Sequence, residues 1–375
     1  MVSMFGEHFA DLPDPRRAQG RRHSLSDMMV IAVTGVICGA DSWADVHEFG
    51  VAKLKWFKTF LDLPHDIPST DTFERVFARL DPEAFERCFT AWTQALSARH
   101  RGRLVAIDGK RIRRSFEQAW KPTSAAHLVS AFATENATVF AQVALDDKEN
   151  EISGIPRLLE LLDLHGATVT IDAIGCQTAI AERIVSQGGD YVLCVKDNQP
   201  QLAQALRADL DDLIRTKGAA LAYDVCETTD GDHGRIETRR VWTTPQLGWL
   251  GEERDRWANL RSAAVVESTR EVPPQAPTRE RRYYISSLDG TDAQRMAQAI
   301  RGHWGIENKL HYVLDVSFAE DQCRVRKGHA AENFSRIRRI ALNLLRRETT
   351  KKRGIKGKRL LAGWDHDYLL KLLSG

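Results

Sequence analysis

Two aspartates in this 375-residue chain close apolar runs of similar build, Leu-Val-Ala-Ile before Asp108 and Thr-Val-Thr-Ile before Asp172. A carboxylate carried to a strand's end leaves the core and can meet a cation. One acid in such a place is more often a turn former or a helix cap. Two of them, ending similar strands of one sheet, suggest more. Helical geometry points to a third acid. Between Asp292 and Leu314 the apolar residues Met296, Ile300, Trp304, Leu310 and Leu314 recur at the helical period. At about 100° per residue, Glu307 falls at the centre of that stripe. A carboxylate facing the core is costly unless it is paired or binds a metal, and Arg301 or His303 are the alternative partners. Three converging carboxylates are hard oxygen ligands suited to Mg²⁺ or Mn²⁺. Two such ions clamp an in-line displacement at phosphorus, one activating the nucleophile and one stabilising the leaving oxygen.

The elements that must position these acids change along the chain. The first hundred residues read as helices, with Asp71 and Glu74 as a capping box and Asp81-Pro82 as a second helix start. From about Arg103, β-rich runs appear at Leu104–Ile107, His127–Thr134, Thr138–Leu145, Ala167–Ile171 and Tyr191–Val195. Helical segments at Ile155–Leu164 and Gln177–Gln187 alternate with the later runs. Three strands followed by strand–helix alternation predict a mixed α/β sheet. Further strands at Tyr223–Thr228, Ile236–Thr243, Ser262–Glu267 and Arg282–Ser287 predict an all-β insertion before helices resume at Asp292. The acids stand 64 and then 135 residues apart, and this insertion fills the longer interval.

The division that follows is a helical domain over 1–100, a catalytic core over 101–221, a β-rich insertion over 222–290, the core's last part over 291–348 and a basic tail over 349–375. A formal charge of +2 hides an asymmetry, since Arg324 to Arg359 holds fourteen Lys or Arg against Glu332 and Glu348. Such a block suggests a polyanionic partner, nucleic acid being the usual one. Within it, Lys351, Lys352, Arg353, Lys356, Lys358 and Arg359 are expected to meet phosphates without reading sequence. Six scattered cysteines without a CxxC pair support neither a zinc site nor a disulfide framework, which makes a reducing cytoplasm the default. The most apolar run, Met28 to Ala40, is too short to span a bilayer and fits a buried helix; no membrane partner is expected.

Several segments, taken in order, resemble one known family. They are Asp14-Pro15-Arg16-Arg17, Gly20-Arg21-Arg22-His23-Ser24-Leu25, Cys38-Gly39-Ala40-Asp41-Ser42-Trp43 and Ile67-Pro68-Ser69-Thr70-Asp71-Thr72-Phe73. Ile107-Asp108-Gly109-Lys110, Lys196-Asp197-Asn198-Gln199, His233-Gly234-Arg235-Ile236-Glu237-Thr238-Arg239 and His303-Trp304-Gly305-Ile306-Glu307-Asn308 follow. Nearly the whole chain resembles the DDE transposases of bacterial insertion sequences, in the H-repeat-associated branch. The resemblance implies a ribonuclease-H-like α/β fold with a β-rich insertion before the last catalytic helix. It also implies Asp108, Asp172 and Glu307 as the metal-binding catalytic triad. Related transposases carry Tyr-x2-Arg-x3-Glu-x6-Lys around the glutamate. Here the other three places hold Ile300, His303 and Leu314, so those roles do not transfer.

Other residues could meet DNA. Lys110 and Arg111 follow the first aspartate and would lie near a scissile phosphate, unless they form a solvated turn. Lys196, Asn198 and Gln199 follow a core strand and could hold the DNA backbone, or simply build a turn. Along the run from His233, the residues Arg235, Glu237 and Arg239 share a face, which is either a DNA-facing surface or an ion-pair ladder. Arg301, His303, Lys327 and His329 complete the candidates. Trp43, Phe73, Phe77, Phe85 and Trp92 read as core.

The function so implied is Mg²⁺-dependent (or Mn²⁺-dependent) cleavage at insertion-sequence ends, followed by strand transfer into target DNA. Partners would be double-stranded terminal inverted repeats, target DNA and a second copy of the chain. The alternatives are a transposase-derived DNA-binding protein without catalysis, and a ribonuclease-H-like nuclease that hydrolyses without joining.

Overall fold

The structure, a computed structural model, describes residues 3–96, 103–115, 125–146, 148–218, 221–232 and 234–374. In chain order the helices α1 (Ser3–Phe9), α2 (Leu25–Cys38), α3 (Trp43–Ala52), α4 (Leu54–Phe57), α5 (Thr70–Arg79) and α6 (Pro82–Leu96) come first. Strands β1 (Leu104–Arg111), β2 (His127–Ala133) and β3 (Thr138–Leu145) follow. Then α7 (Glu151–Glu160), β4 (Thr168–Ile171), α8 (Thr178–Ser186), β5 (Asp190–Val195) and α9 (Pro200–Thr216) alternate. The next stretch holds β6 (Asp224–Asp232), β7 (Arg235–Thr244), the short α10 (Glu252–Asp255), β8 (Ser262–Glu271) and β9 (Thr278–Ser286). Last come α11 (Ala293–Gly305), α12 (Tyr312–Phe318), α13 (Ala330–Arg347), α14 (Ile355–Trp364) and α15 (His366–Ser374). An antiparallel β2–β3 hairpin, then parallel strands entered through helices, is the expected ribonuclease-H-like α/β arrangement.

Two compact units divide the chain. The first comprises Met1–Ala98, Gly109–Asn150 and Glu307–Gly375; the second comprises Arg99–Asp108 and Glu151–Ile306. In the first unit α2 is the central helix. Ser24 caps it by accepting from the Asp27 N–H at 3.0 Å, and Met28, Ile31 and Val36 are fully buried. It packs against α3, α13 and α14. Trp43, Phe73, Phe77, Phe85 and Trp92 are core, as expected, and Trp43 stacks on Phe77 with centroids 4.4 Å apart. Ser69, rather than Asp71, caps α5, because its hydroxyl accepts from the Thr72 N–H. Asp81 does cap α6, through the Glu83 N–H at 3.0 Å. Among the described residues no single helix is long and apolar enough to cross a membrane.

Part of the basic block is built into the core of this unit. On α13, Arg336, Arg338 and Arg339 are at most 1% exposed. Arg336 pairs with Glu86 at 2.7 Å and Glu332 at 3.0 Å, and Arg339 with Glu320 at 2.9 Å. Beyond residue 348, where the sequence suggests a tail, the chain forms α14 and α15. Lys358 and Arg359 are buried there and are not free for phosphates. Arg359 donates to the Val36 and Ile37 carbonyls. These belong to the last turn of α2, whose acceptors have no partner within the helix. Lys358 donates to the Leu345 carbonyl at 2.9 Å. Lys351, Lys352, Arg353 and Lys356 remain exposed.

In the second unit the strand order is β1-β4-β5-β9-β8-β7-β6. β1, β4 and β5 run parallel, with Leu104–Ile107 opposite Thr168–Ile171, and these opposite Asp190–Leu193. β9 joins β5 antiparallel, Val192 facing Ser286. The β-rich insertion therefore continues the core sheet. Helix α11 lies over β4, β5, β6 and β7, burying Met296 and Ile300 with Val192, Val241 and Tyr284.

Candidate catalytic site

Asp108 and Asp172 each come one residue after the last paired register of the parallel β1–β4 ladder, Ile107 opposite Ile171. Neighbouring strands lie about 4.8 Å apart, and residues in register leave a parallel ladder on the same face. β4 ends at Ile171, but β1 runs on to Arg111, so Asp108 lies within its strand rather than at its end. Asp172 opens a tight turn, accepting from the Ile174 N–H at 3.1 Å. That turn needs Gly175, since a Cβ there would stand 2.2 Å from the Ile171 side chain. Burial raises the Asp172 carboxyl above its ordinary range, the charge of Glu151 adds to this, and Lys196 opposes it. Glu151 carries no signal in the sequence; only folding brings its charge to bear on Asp172.

Glu307 belongs to the first unit. It sits in a π-helical turn, Ile306–His311, between α11 and α12. There the structure departs from the helical-stripe argument. Glu307 and Trp304 are exposed, while Ile306, Leu310 and Leu314 are buried. An i→i+5 turn takes more residues per revolution than an α-turn, so positions counted through it at 100° are misplaced. Glu307 is therefore not a core carboxylate, although π-turns are frequent at functional positions.

The donors fit a hard divalent cation. Two carboxylates follow one shared register, and the ionised form of Asp172 is short of positive charge. Among the described residues no three His, Cys, Asp or Glu side chains stand together as a metal-holding group. The second unit thus offers a pair of carboxylates.

The other candidates divide into those tied up in structure and those left accessible. Lys110 is 9% exposed and paired with Asp315 and Glu320. Asn198 donates to the Ala173 carbonyl at 2.6 Å and Gln199 to the Cys176 carbonyl at 2.9 Å. Their amides tie the loop after β5 to the turn that begins at Asp172. Arg235 pairs with Glu237, Arg239 with Glu237 and Asp230, and Arg301 with Asp230. Of these pairs, Arg239–Asp230 crosses from β7 to β6 and the two with Glu237 lie within β7. His233 lies outside the described residues. Arg111, Lys196, Lys327 and His329 are exposed; Lys327 lines a pocket of 310 Å³ with Arg324, Trp43 and Glu74.

His303 is also redirected. Its Nδ1 lies 3.1 Å from the Thr170 hydroxyl, two residues before Asp172, and burial pushes its pKa down to about 4. It is a neutral strut between α11 and β4 at neutral pH, and not a cation for phosphate. The folded value lies below the unfolded 6.5, so the stability it contributes is present above pH 6.5 and is lost as pH falls towards 4. Wild type should lose up to about 3 kcal/mol more than His303→Gln across that window. Parallel urea titrations at pH 4 and 7 test this, and equal losses in both proteins would refute it.

The family described as "Transposase DDE domain" matches residues 99–344, and "DDE_Tnp_1-associated" matches residues 6–93. The chain is similar to "H repeat-associated putative transposase YhhI" of Escherichia coli (strain K12), 38% identical over 98% of this chain and 97% of that one. It is 40% identical to "Putative transposase YncI" of Escherichia coli O157:H7, over 98% and 94%. Among solved structures, a piggyBac transposase synaptic complex with hairpin DNA aligns with 99% of this chain and 76% of that one. Its TM-score of 0.42 and 11% identity are too low to bear on function.

Proposed function

Because this chain belongs to the family of DDE-domain transposases, we propose that it cuts the ends of its own insertion sequence and joins them to target DNA. The observation that carries this is the placement of Asp108 and Asp172 one residue beyond a shared parallel register. Glu307 is the third carboxylate of the proposed triad. When bound, a pair of Mg²⁺ ions supplies the charge for in-line displacement at phosphorus. In the first step a water oxygen bonds to phosphorus and the 3′-oxygen leaves. In the second, that 3′-hydroxyl attacks a target phosphodiester and displaces its 3′-oxygen. Asp108, Asp172 and Glu307 hold the ions, and Gly175, Asn198 and Gln199 keep the Asp172 turn in place. Exposed Arg111, Lys196, Lys327, Lys351, Lys352, Arg353 and Lys356 neutralise phosphates, and His329 contacts the backbone beside them. Residues 1–100 read the terminal inverted repeats, and two copies pair the ends, in the bacterial cytoplasm.

The deciding experiment incubates the full chain with its element's flanking ends and Mg²⁺, scoring cleavage and joining separately. Both products are expected. Cleavage without joining would make it a nuclease of the same fold, and binding with neither would make it a DNA-binding derivative.

A further inference from the structure

Lys110 is the residue whose surroundings least match its position in the sequence. It lies two residues beyond Asp108, where a cation would be expected to meet phosphate. Instead its Nζ is paired with Asp315, on α12, and stands 3.2 Å from Glu320, which is completely buried. Glu320 is held in turn by Arg339 at 2.9 Å and by the Ser335 hydroxyl at 2.8 Å, both on α13. Arg113 repeats the connection three residues on, its Nε 3.2 Å from Asp321. All of these residues belong to the first unit. The strand end that follows one proposed catalytic acid is thereby fastened to the helix and turn that follow another, since Asp315 lies eight residues past Glu307.

We propose that Lys110 is a positioning residue, tethering the end of β1, through Asp315 and the Glu320–Arg339 pair, to the helix that follows the Glu307 turn. This rests on the transposase function above and assigns Lys110 a part in it other than DNA contact. A compact ammonium suits the place, because two carboxylates converge on it. Losing the tether leaves the proposed metal ligands in the chain but frees their backbones to shift. A shift of that kind costs chemistry, not affinity.

The test compares Lys110→Met, Lys110→Arg, Glu320→Gln and Asp315→Asn with wild type, using pre-cut ends and Mg²⁺. Lys110→Met should lower joining roughly 10–100-fold, the range seen when a residue supporting a metal ligand is lost. Its affinity for DNA and the salt dependence of that affinity should be unchanged. Lys110→Arg, which keeps the charge, should recover much of the rate. Combining Lys110→Met with Glu320→Gln should cost less than the two losses multiplied, as for residues in one network. If Lys110→Met melts below assay temperature, Asp315→Asn is read in its place; it removes only the more exposed arm and should slow joining about tenfold. Wild-type joining by either folded variant would overturn the proposal. So would weaker DNA binding with a salt slope reduced by about one, which marks a phosphate contact. If wild type itself joins nothing, the transposase function fails, and the salt slope still decides between tether and phosphate contact.

Discussion

Asp172→Asn should bind element ends as tightly as wild type, or slightly more tightly, and should neither cut nor join them. The amide keeps the side chain's size and its bond from the Ile174 N–H, so the turn and its packing on Gly175 survive. What goes is the negative charge that a divalent cation requires. Affinity for DNA comes from Lys and Arg on phosphates, and removing an acid lowers repulsion. Activity should fall by more than the roughly 10–100-fold that follows loss of a residue merely supporting a ligand. Both steps should fail together, because one metal site serves cleavage and joining. Asp108→Asn and Glu307→Gln should behave alike. The measurement is a gel shift paired with strand transfer on uncut and pre-cut ends. A variant that joins pre-cut ends at near wild-type rate removes that residue from the catalytic site.

The second large effect concerns stability. Glu86→Ala should destabilise the first unit by about 3–5 kcal/mol, the usual cost of removing one partner from a buried ion pair. Glu86 holds three elements together. It pairs with Arg336 of α13, accepts from the Gln142 N–H of β3 at 2.8 Å, and accepts from the Thr90 hydroxyl of its own helix at 3.0 Å. Burial raises its carboxyl despite Arg336, so the pair is retained against a real desolvation cost. Removing Glu86 leaves the 1%-exposed Arg336 with Glu332 as its remaining acidic partner. Replacing both residues together, as Glu86→Leu with Arg336→Met, should recover most of the loss. Urea unfolding measures this. A change below about 1 kcal/mol in Glu86→Ala would mean that water reaches the pair.

Helices, strands and the ordering of the two aspartates were legible in the sequence because they rest on short-range patterns. Apolar runs end at Asp108 and Asp172, turn residues separate the β runs, and Asp81-Pro82 starts α6; each signal lies within a few residues of what it sets. The transposase family was legible for a related reason, since its short motifs recur in a fixed order along nearly the whole chain. The roles of the cations were not. Lys110, Arg336, Arg339, Lys358 and Arg359 look like the exposed Lys351 and Lys352 until folding surrounds them with Asp315, Glu320, Glu86 or the open carbonyls at the ends of α2 and α13. A charge is stabilised by whatever lies within a few ångströms of it, and those partners lie from 10 to more than 300 residues away in the chain. Glu307 shows the same limit within one helix. A period of 3.6 put it in the core, but the π-turn rotated it to the surface. Such a turn is chosen by packing on either side of it, which no local periodicity records.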